Sequence, residues 1–99
     1  MYGTVARFKV KSGHFDDLVG LMHEWDRDRK PQVKGAVAGF IYRLDEDRDE
    51  AILVAVFKDR DSYKANADDP EQDKFFQRMR EHFASDAEWN DGEIVYADI

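Results

Sequence analysis

The sequence predicts an α+β fold whose four strands and two helices follow one another in the order β-α-β-β-α-β. Residues 51–57 are seven consecutive apolar residues between charged segments, as in a strand that is buried on both faces. Residues 2–10 alternate between an apolar and a mixed face, as in a strand with one buried face. Apolar residues three and four positions apart recur in two further segments, and this spacing is typical of amphipathic helices.

The first strand and the first helix are predicted within residues 2–30. The turn at residues 11–13 ends the strand, and Ser12 is expected to be the N-cap of the helix. Pro31 disfavours helical geometry in the residue before it, so the helix is expected to end near Lys30. The apolar stripe of this helix consists of Phe15, Leu18, Val19, Met22 and Trp25.

The second and third strands form a predicted hairpin. Strand two begins after Gly35 and continues to Leu44, and the polar residues 45–50 connect it to strand three at residues 51–57. The two strands are therefore expected to be antiparallel neighbours. Strand three is expected to direct Ile52, Val54 and Val56 to one side of the sheet and Ala51, Leu53, Ala55 and Phe57 to the other.

The second helical region is predicted to be interrupted. Residues 58–62, among them Asp59, offer several N-cap candidates for a short helix that is expected around residues 63–67. Asp68 or Asp69 is expected to cap a further helix with Pro70 at its first position. The apolar stripe of that helix consists of Phe75, Phe76, Met79 and Phe83. A last strand is predicted over residues 94–99, after the turn-forming residues 90–92.

Residues 1–99 are expected to form one domain, because a chain of this length supports a single hydrophobic core. Right-handed crossovers turn the element order into a ferredoxin-like plait, an antiparallel sheet with both helices on one face. The other face is then uncovered although strand three places apolar side chains on it. A soluble monomer rarely exposes so large an apolar patch, so we expect a homodimer that packs sheet against sheet.

The composition argues against several classes of protein. A net charge of −7 disfavours binding to nucleic acid and to anionic membranes, since phosphate groups need a basic surface. No apolar run reaches the roughly 18 residues of a membrane span, and the N-terminus lacks a signal-peptide pattern. The absence of cysteine excludes disulfides and thiolate metal sites. These observations fit a cytoplasmic protein.

Several short motifs along nearly the whole chain occur together in one known family. They are Lys11-Ser12-Gly13 with Phe15, Gly35 and Gly39-Phe40 with Tyr42-Arg43, residues 53–57 followed by Lys58-Asp59 and Ser62-Tyr63, and Asp69-Pro70 with Phe75-Phe76. In these motifs the chain resembles the antibiotic biosynthesis monooxygenase domain family, whose members are dimeric α+β barrels. The resemblance implies a ligand pocket between the helices and the sheet of each subunit. It also implies a cofactor-independent monooxygenase that acts on a small aromatic or quinol-type substrate.

The haem-degrading branch of that family is disfavoured. The resemblance implies, for that branch, an Asn in strand one, a Trp in the second helix and a His in the third helical segment. The matching positions of this chain hold Ala6 or Arg7, Asn66, and a residue near Arg78 or Met79. No haem and no other cofactor is therefore expected.

Aromatic and basic residues are the candidates for a working cavity. Walls that hold a flat substrate are expected from Trp25, Phe40, Tyr42, Tyr63, Phe76, Met79 and Trp89, with Tyr96 as a further aromatic residue. Arg43 or Arg78 is a candidate to stabilise a developing oxyanion, and His82 is a candidate general base. The structural alternative is that the aromatic residues form the core, that Arg43 pairs with the acidic hairpin and that Arg78 is solvated.

The histidines do not predict a metal site. His14, His23 and His82 are far apart in the sequence, and no local spacing places two of them beside a carboxylate. Structural or solvated histidines are the expectation.

Two other functions stay open at this point. A homodimer of the same fold could use the cavity to bind a small apolar ligand without catalysis, and a lining without ionisable groups would favour this function. An accessory domain whose acidic surface recruits a protein partner is the third alternative.

Overall fold

A computed structural model describes residues 1–99, and its elements follow the predicted order. The strands are β1 (Tyr2–Lys9), β2 (Ala36–Arg43), β3 (Glu50–Phe57) and β4 (Glu88–Glu93). The helices are α1 (Phe15–Asp28), α2 (Arg60–Ala67) and α3 (Pro70–Arg80), with a short 3₁₀ turn at Lys30–Gln32. The interruption of the second helical region is thus confirmed, because α2 and α3 are separate helices.

The four strands form one antiparallel sheet in the order β2-β3-β1-β4. Strand β1 pairs with both β3 and β4, and β2 pairs with β3 as the hairpin prediction requires. This order, with all helices on one face, is the ferredoxin-like plait.

The hydrophobic core lies between the helices and one face of the sheet, which we call the inner face. Phe8 and Ala51 contribute to it from neighbouring strands, and Leu18 and Met79 from α1 and α3. Leu18 is fully buried. Burying a leucine side chain contributes about 1.5–3 kcal/mol to stability, so this layer holds the helices on the sheet.

The opposite face of the sheet has no helix over it, and its centre is apolar. Register places Val5 opposite Val54 and Val54 opposite Phe40, and Ile52 opposite Tyr42. Phe40, Tyr42 and Val5 are 54%, 53% and 46% exposed. We call this surface the open face: Val5, Phe40, Tyr42, Ile52, Val54 and Val56. The predicted division of β3 between two faces is confirmed.

Helices α2 and α3 begin after an aspartate cap, α2 three residues earlier than predicted, and α1 does not begin at its predicted cap. The Asp59 carboxylate accepts a hydrogen bond from the Ser62 amide (2.8 Å), and the Asp69 carboxylate accepts one from the Glu71 amide (2.9 Å). Ser12 was expected to cap α1, but the N-cap position is His14, whose side chain makes no capping bond. The turn at residues 11–13, with Gly13 at φ +82°, delays the start of the helix past Ser12.

The prediction of the last strand at residues 94–99 is wrong. Strand β4 is Glu88–Glu93, and it pairs Trp89 with Ala6 and Gly92 with Gly3. Because Glu93 already faces Tyr2 at the start of β1, the later residues have no strand to pair with. Only the Ile94 amide bonds to the Met1 carbonyl, and Val95, Tyr96 and Ile99 are almost fully exposed. Polar residues suit β4 because it is an edge strand whose side chains are exposed.

Candidate functional site

A cavity of about 560 Å³ lies between the helices and the inner face of the sheet. This volume is within the range of small-molecule sites. All three helices contribute to its lining, which is mainly apolar and aromatic. The polar lining residues are Thr4, His23, Asp26, Lys30, Tyr63, Asn66, Gln72 and Asp73.

The aromatic walls of the cavity are held by contacts between elements. Trp25 of α1 donates its indole N–H to the Gln72 side-chain oxygen of α3 at 2.9 Å. The Phe76 ring of α3 packs edge-on against Trp89 of β4, with centroids 5.5 Å apart. These contacts fix the indole of Trp25 and the ring of Phe76 before any ligand is present, so the walls are largely preformed.

Tyr63 of α2 lies on the sheet side of the cavity and keeps its proton. Its hydroxyl donates to Asp91 Oδ1 at 2.8 Å, and its ring packs against Phe57 with a centroid distance of 5.5 Å. Burial, followed by the bond to the Asp91 carboxylate, raises the pKa of Tyr63 to about 12. The nearby Thr4 hydroxyl has a smaller, opposite effect on this pKa. That hydroxyl is buried, and its geometry does not satisfy a hydrogen bond to any group. At neutral pH Tyr63 is therefore a phenol and not a base.

Asn66 of α2 has a fixed orientation. Arg29, whose side chain is 13% exposed, donates from Nη2 to Asn66 Oδ1 at 3.2 Å and to Asp69 Oδ2 at 3.4 Å. Since a guanidinium only donates, the amide oxygen of Asn66 must face Arg29. The amide nitrogen is then the remaining polar group, and no hydrogen bond within the chain uses it.

Six of the seven predicted wall residues border the cavity. They are Trp25, Phe40, Tyr63, Phe76, Met79 and Trp89. Phe40 borders the cavity at strand β2. The strand register, which pairs Phe40 with Val54, directs its side chain to the open face. Tyr42 is also on the open face and does not line the cavity, because it is an even number of positions from Phe40. Tyr96 lies in the exposed tail.

The three predicted catalytic residues, Arg43, Arg78 and His82, do not line the cavity, in contrast to their expected placement. Arg43 at the end of β2 donates to the Arg48 carbonyl and stacks over Phe15, with its guanidinium carbon 4.5 Å from the ring centroid. Arg78 of α3 is exposed and donates two hydrogen bonds to the Glu24 carboxylate, at 2.7 and 3.1 Å. These contacts follow the structural alternative: the arginines hold surface carboxylates and carbonyls instead of a substrate.

The third of these residues, His82, pairs with another histidine. His82 Nδ1 and His14 Nδ1 are 3.0 Å apart. A carboxylate oxygen of Asp17 lies within 4.8 Å of a ring nitrogen of each histidine. The expectation that no two histidines meet beside a carboxylate is therefore wrong. The fold joins the start of α1 to the end of α3, and residues 68 positions apart in the sequence become neighbours.

Sequence reasoning missed His23 and Asn66 as cavity residues. His23 is one position beyond Met22 in α1, so it borders the apolar stripe, and the helical spacing could have identified it. Asn66 had no such signal, because the carboxylate and guanidinium that orient it come from other elements.

Comparison with known proteins establishes the fold. A scan against protein-family models gave no match, and a search of curated proteins gave none. Among solved structures, a variant of SnoaB, a cofactor-independent oxygenase from Streptomyces nogalater, matches with a TM-score of 0.81, 14% identity and coverage of 97% of this chain and 94% of that chain. An antibiotic biosynthesis monooxygenase matches with a TM-score of 0.75, 14% identity and coverage of 97% and 100%. A conserved protein from Methanosarcina mazei Go1 matches with a TM-score of 0.78, 16% identity and coverage of 92% and 89%.

The TM-scores establish the fold, whereas identities of 14–16% do not establish the activity, which has to be argued from the site.

Neither α1 nor any shorter helix has the length and hydropathy that crossing a membrane requires. The chain has the α+β, ferredoxin-like fold of the antibiotic biosynthesis monooxygenases, with its cavity on the helical side of the sheet.

Proposed function

We propose that this protein is a cofactor-independent monooxygenase that binds a small aromatic or quinol-type substrate between its helices and its sheet. The observation that carries the proposal is the aromatic-walled cavity of about 560 Å³, in a fold shared with a cofactor-independent oxygenase. Flat rings favour aromatic walls because stacked and edge-on contacts add to the burial of apolar area.

The reaction that fits such a cavity is oxygenation of an activated ring carbon by molecular oxygen. An anthrone-type substrate loses a proton from its acidic CH₂ group, and the resulting anion transfers electrons to O₂. Carbon–oxygen bond formation and loss of water then convert CH₂ and O₂ into C=O and H₂O. The substrate is the only reductant, so the protein has to supply proton transfer, stabilisation of the anion and exclusion of water.

Two lining residues provide these functions. His23 is the only histidine that lines the cavity, and an imidazole is the commonest general base in enzymes. The amide nitrogen of Asn66, oriented by Arg29, is a donor for the oxygen that carries negative charge in the anion. Tyr63 remains protonated and contributes a wall and a fixed dipole.

Oxygen consumption with a panel of anthrones and hydroquinones tests this proposal. The wild-type protein should increase the rate of oxygen uptake above the uncatalysed rate with at least one substrate. Asn66→Ala should reduce kcat by about 10²–10³-fold, as expected for loss of an oxyanion donor. Gln77→Ala is the matched control, since it removes an exposed amide of α3 that does not line the cavity. Absence of enzyme-dependent uptake with every substrate would overturn the oxygenase proposal.

A non-catalytic ligand-binding protein is the second candidate, and one observation favours it. No arginine lines the cavity, and the Gln72 and Tyr63 side chains already bond to Trp25 and Asp91. Neither Gln72 nor Tyr63 is then free to act on a substrate. Binding of the same compounds in calorimetry, with saturable heat but no oxygen uptake, would assign this function instead.

We also propose that the protein is a homodimer in which two open faces pack together. Val5, Phe40, Tyr42 and Val54 are exposed or half-exposed at the centre of this surface, and an Arg7–Glu50 ion pair at 2.6 Å lies beside them. An apolar centre with a charged border is the usual anatomy of a protein interface. Burial of about 800 Å² on each subunit is typical of a stable complex. Light scattering at micromolar concentration should give twice the 11.6 kDa of one chain, and a mass of 11.6 kDa would contradict the dimer.

A further inference from the structure

We infer that His14, His82 and Asp17 form a binding site for a zinc-type divalent ion, separate from the cavity. None of the three residues lines the cavity. The inference therefore does not depend on the proposed oxygenase or ligand-binding function. It rests on four observations: the approach of the two imidazoles, the position of the carboxylate, the backbone that holds them and an unused helix cap.

The two imidazole nitrogens are close to the separation that a metal ion needs. His14 Nδ1 and His82 Nδ1 are 3.0 Å apart. A tetrahedral ion with metal–nitrogen bonds of about 2.0–2.1 Å holds two ligand nitrogens roughly 3.3 Å apart. An increase of a few tenths of an ångström, by a small rotation of either ring, is enough to admit the ion between them.

The carboxylate of Asp17 completes three ligands. A carboxylate oxygen lies within 4.8 Å of a ring nitrogen of each histidine, and the exposed side chain can rotate towards them. Asp17 is three positions after His14, a spacing that places both side chains on one side of the helix start. Two imidazoles, one carboxylate and an open position for water are a ligand set that suits zinc and late first-row divalent ions, in contrast to Mg²⁺ or Ca²⁺.

The backbone holds the two histidines in place through one residue, Lys11. The Lys11 amide donates to the His82 carbonyl at 2.9 Å, and the Lys11 carbonyl accepts from the His14 amide at 3.0 Å. The backbones of both histidines are thus bonded to the same residue, and an isolated bridge between Val10 and Phe83 continues this contact between the two segments. Because the ligands are already close, little conformational entropy opposes binding.

The N-cap of α1 is occupied by a residue that does not cap the helix. His14 makes no side-chain bond to the first amides of α1, although Ser, Thr, Asp and Asn are strongly preferred at this position. Local violations of such preferences are expected at functional sites. The ring of His14 instead faces His82, with a centroid distance of 5.2 Å.

The charges and helix dipoles around His14 and His82 favour the binding of a cation there. His82 follows the C-terminal end of α3, where the helix dipole is negative. The positive end of α1 opposes a cation at His14, but Asp16 and Asp17 in its first turn offset this charge. A bound ion would connect the start of α1 to the end of α3, two helices that wall the cavity.

Calorimetric titration of the tag-free, EDTA-treated and desalted protein with ZnCl₂ tests the site. One ion should bind per chain, and the melting temperature should rise with ZnCl₂ but not with MgCl₂. His14→Gln and His82→Gln should each abolish this binding. Asp17→Asn should weaken it by at least about tenfold, since even the partners of metal ligands change affinity about 10–100-fold. His23→Gln, which removes the third histidine, should bind zinc as the wild type does.

A second measurement on the wild type removes the dependence on variants that fail to fold. In ¹⁵N NMR of the imidazoles, one equivalent of ZnCl₂ should shift the Nδ1 resonances of His14 and His82 and leave those of His23 unchanged. The site would be overturned by the absence of saturable 1:1 binding, by equal shifts in all three histidines, or by unchanged zinc affinity in folded His14→Gln and His82→Gln. Folding of each variant is checked by far-UV circular dichroism.

Discussion

The two faces of the sheet are built from the same strands and meet opposite surroundings. On the inner face, Ala6, Phe8 and Ala51 are at most 2% exposed beneath the helices. On the open face, Phe40 and Tyr42 are more than half exposed although both carry large aromatic rings. Strand β3 contributes to both faces, with Leu53 towards the helices and Val54 away from them. A strand that is apolar on both sides, such as β3, is typical of a sheet that is covered on both faces. The helices of one chain cover only the inner face.

The division also separates the roles of the two faces. The inner face carries the stability of the monomer and leaves room for a cavity, and the open face is the surface of the proposed dimer. The predictions below test this separation, beginning with the largest expected effect.

A charge at the centre of the open face should break the dimer. Val54→Asp places a carboxylate opposite Val5 and Phe40, where a second copy would bury it without a partner. The dissociation constant should rise by more than about 100-fold, since an unpaired buried charge costs about 3–5 kcal/mol. Light scattering should then report 11.6 kDa instead of twice that mass.

The control for this prediction adds the same charge on the helical side. Gln77→Asp changes an exposed residue of α3 and should leave the dimer intact. A Val54→Asp protein that remains dimeric would show that the open face is not the interface.

A cavity in the inner layer should destabilise the fold itself. Leu18→Ala removes a fully buried side chain of α1 and should lower the free energy of unfolding by about 2–5 kcal/mol. Urea denaturation measures this change. The neighbouring Val19→Ala, at a residue that is 40% exposed, should cost less than about 1 kcal/mol. Equal losses in the two variants would refute the assignment of the core to this side of α1.

The hydrogen bond between Trp25 and Gln72 should contribute a smaller amount. Trp25→Phe and Gln72→Leu, combined in a double-mutant cycle, should give a coupling energy of about 1 kcal/mol. The reason is that each single variant leaves a donor or an acceptor of the cavity wall without its partner. Additive effects of the two substitutions would mean that the wall is not held by this bond.

The last effect, an alkaline loss of stability that Tyr63 causes, should be absent at neutral pH. An unfolded tyrosine loses its proton near pH 10, whereas burial and then Asp91 raise the pKa of Tyr63 to about 12 in the folded protein. The folded state therefore holds one more proton in this interval, and stability falls as the pH rises from about 10 to about 12. Below about pH 10 the contribution is fully present.

Urea denaturation at several pH values measures that slope. Tyr63→Phe should flatten it, and Asp91→Asn should narrow the interval without abolishing it, because burial is the larger cause. Tyr96→Phe is the control for removal of a phenol, since this residue lies in the exposed tail. An unchanged slope in Tyr63→Phe would assign the effect to another group.

Much of the fold could be predicted from the sequence, because its signals are local. The alternation in β1 and β3, the aspartate caps of α2 and α3 and the acidic hairpin each depend on residues that are close in the chain. The candidate site was predictable only in part. Its aromatic walls follow from helical and strand periodicity, whereas the placement of Arg43, Arg78 and His82 does not.

The sequence by itself determined the order of the elements and the apolar character of both faces of β3, since side-chain periodicity depends only on local geometry. The tertiary structure alone decided where β4 ends, because pairing stops where the partner strand β1 stops, and Tyr2 at the start of β1 stands opposite Glu93. It also decided that His14 meets His82 and that Arg29 orients Asn66. These contacts join distant parts of the chain. Packing of the helices on the sheet determines them, and no local sequence pattern can predict them.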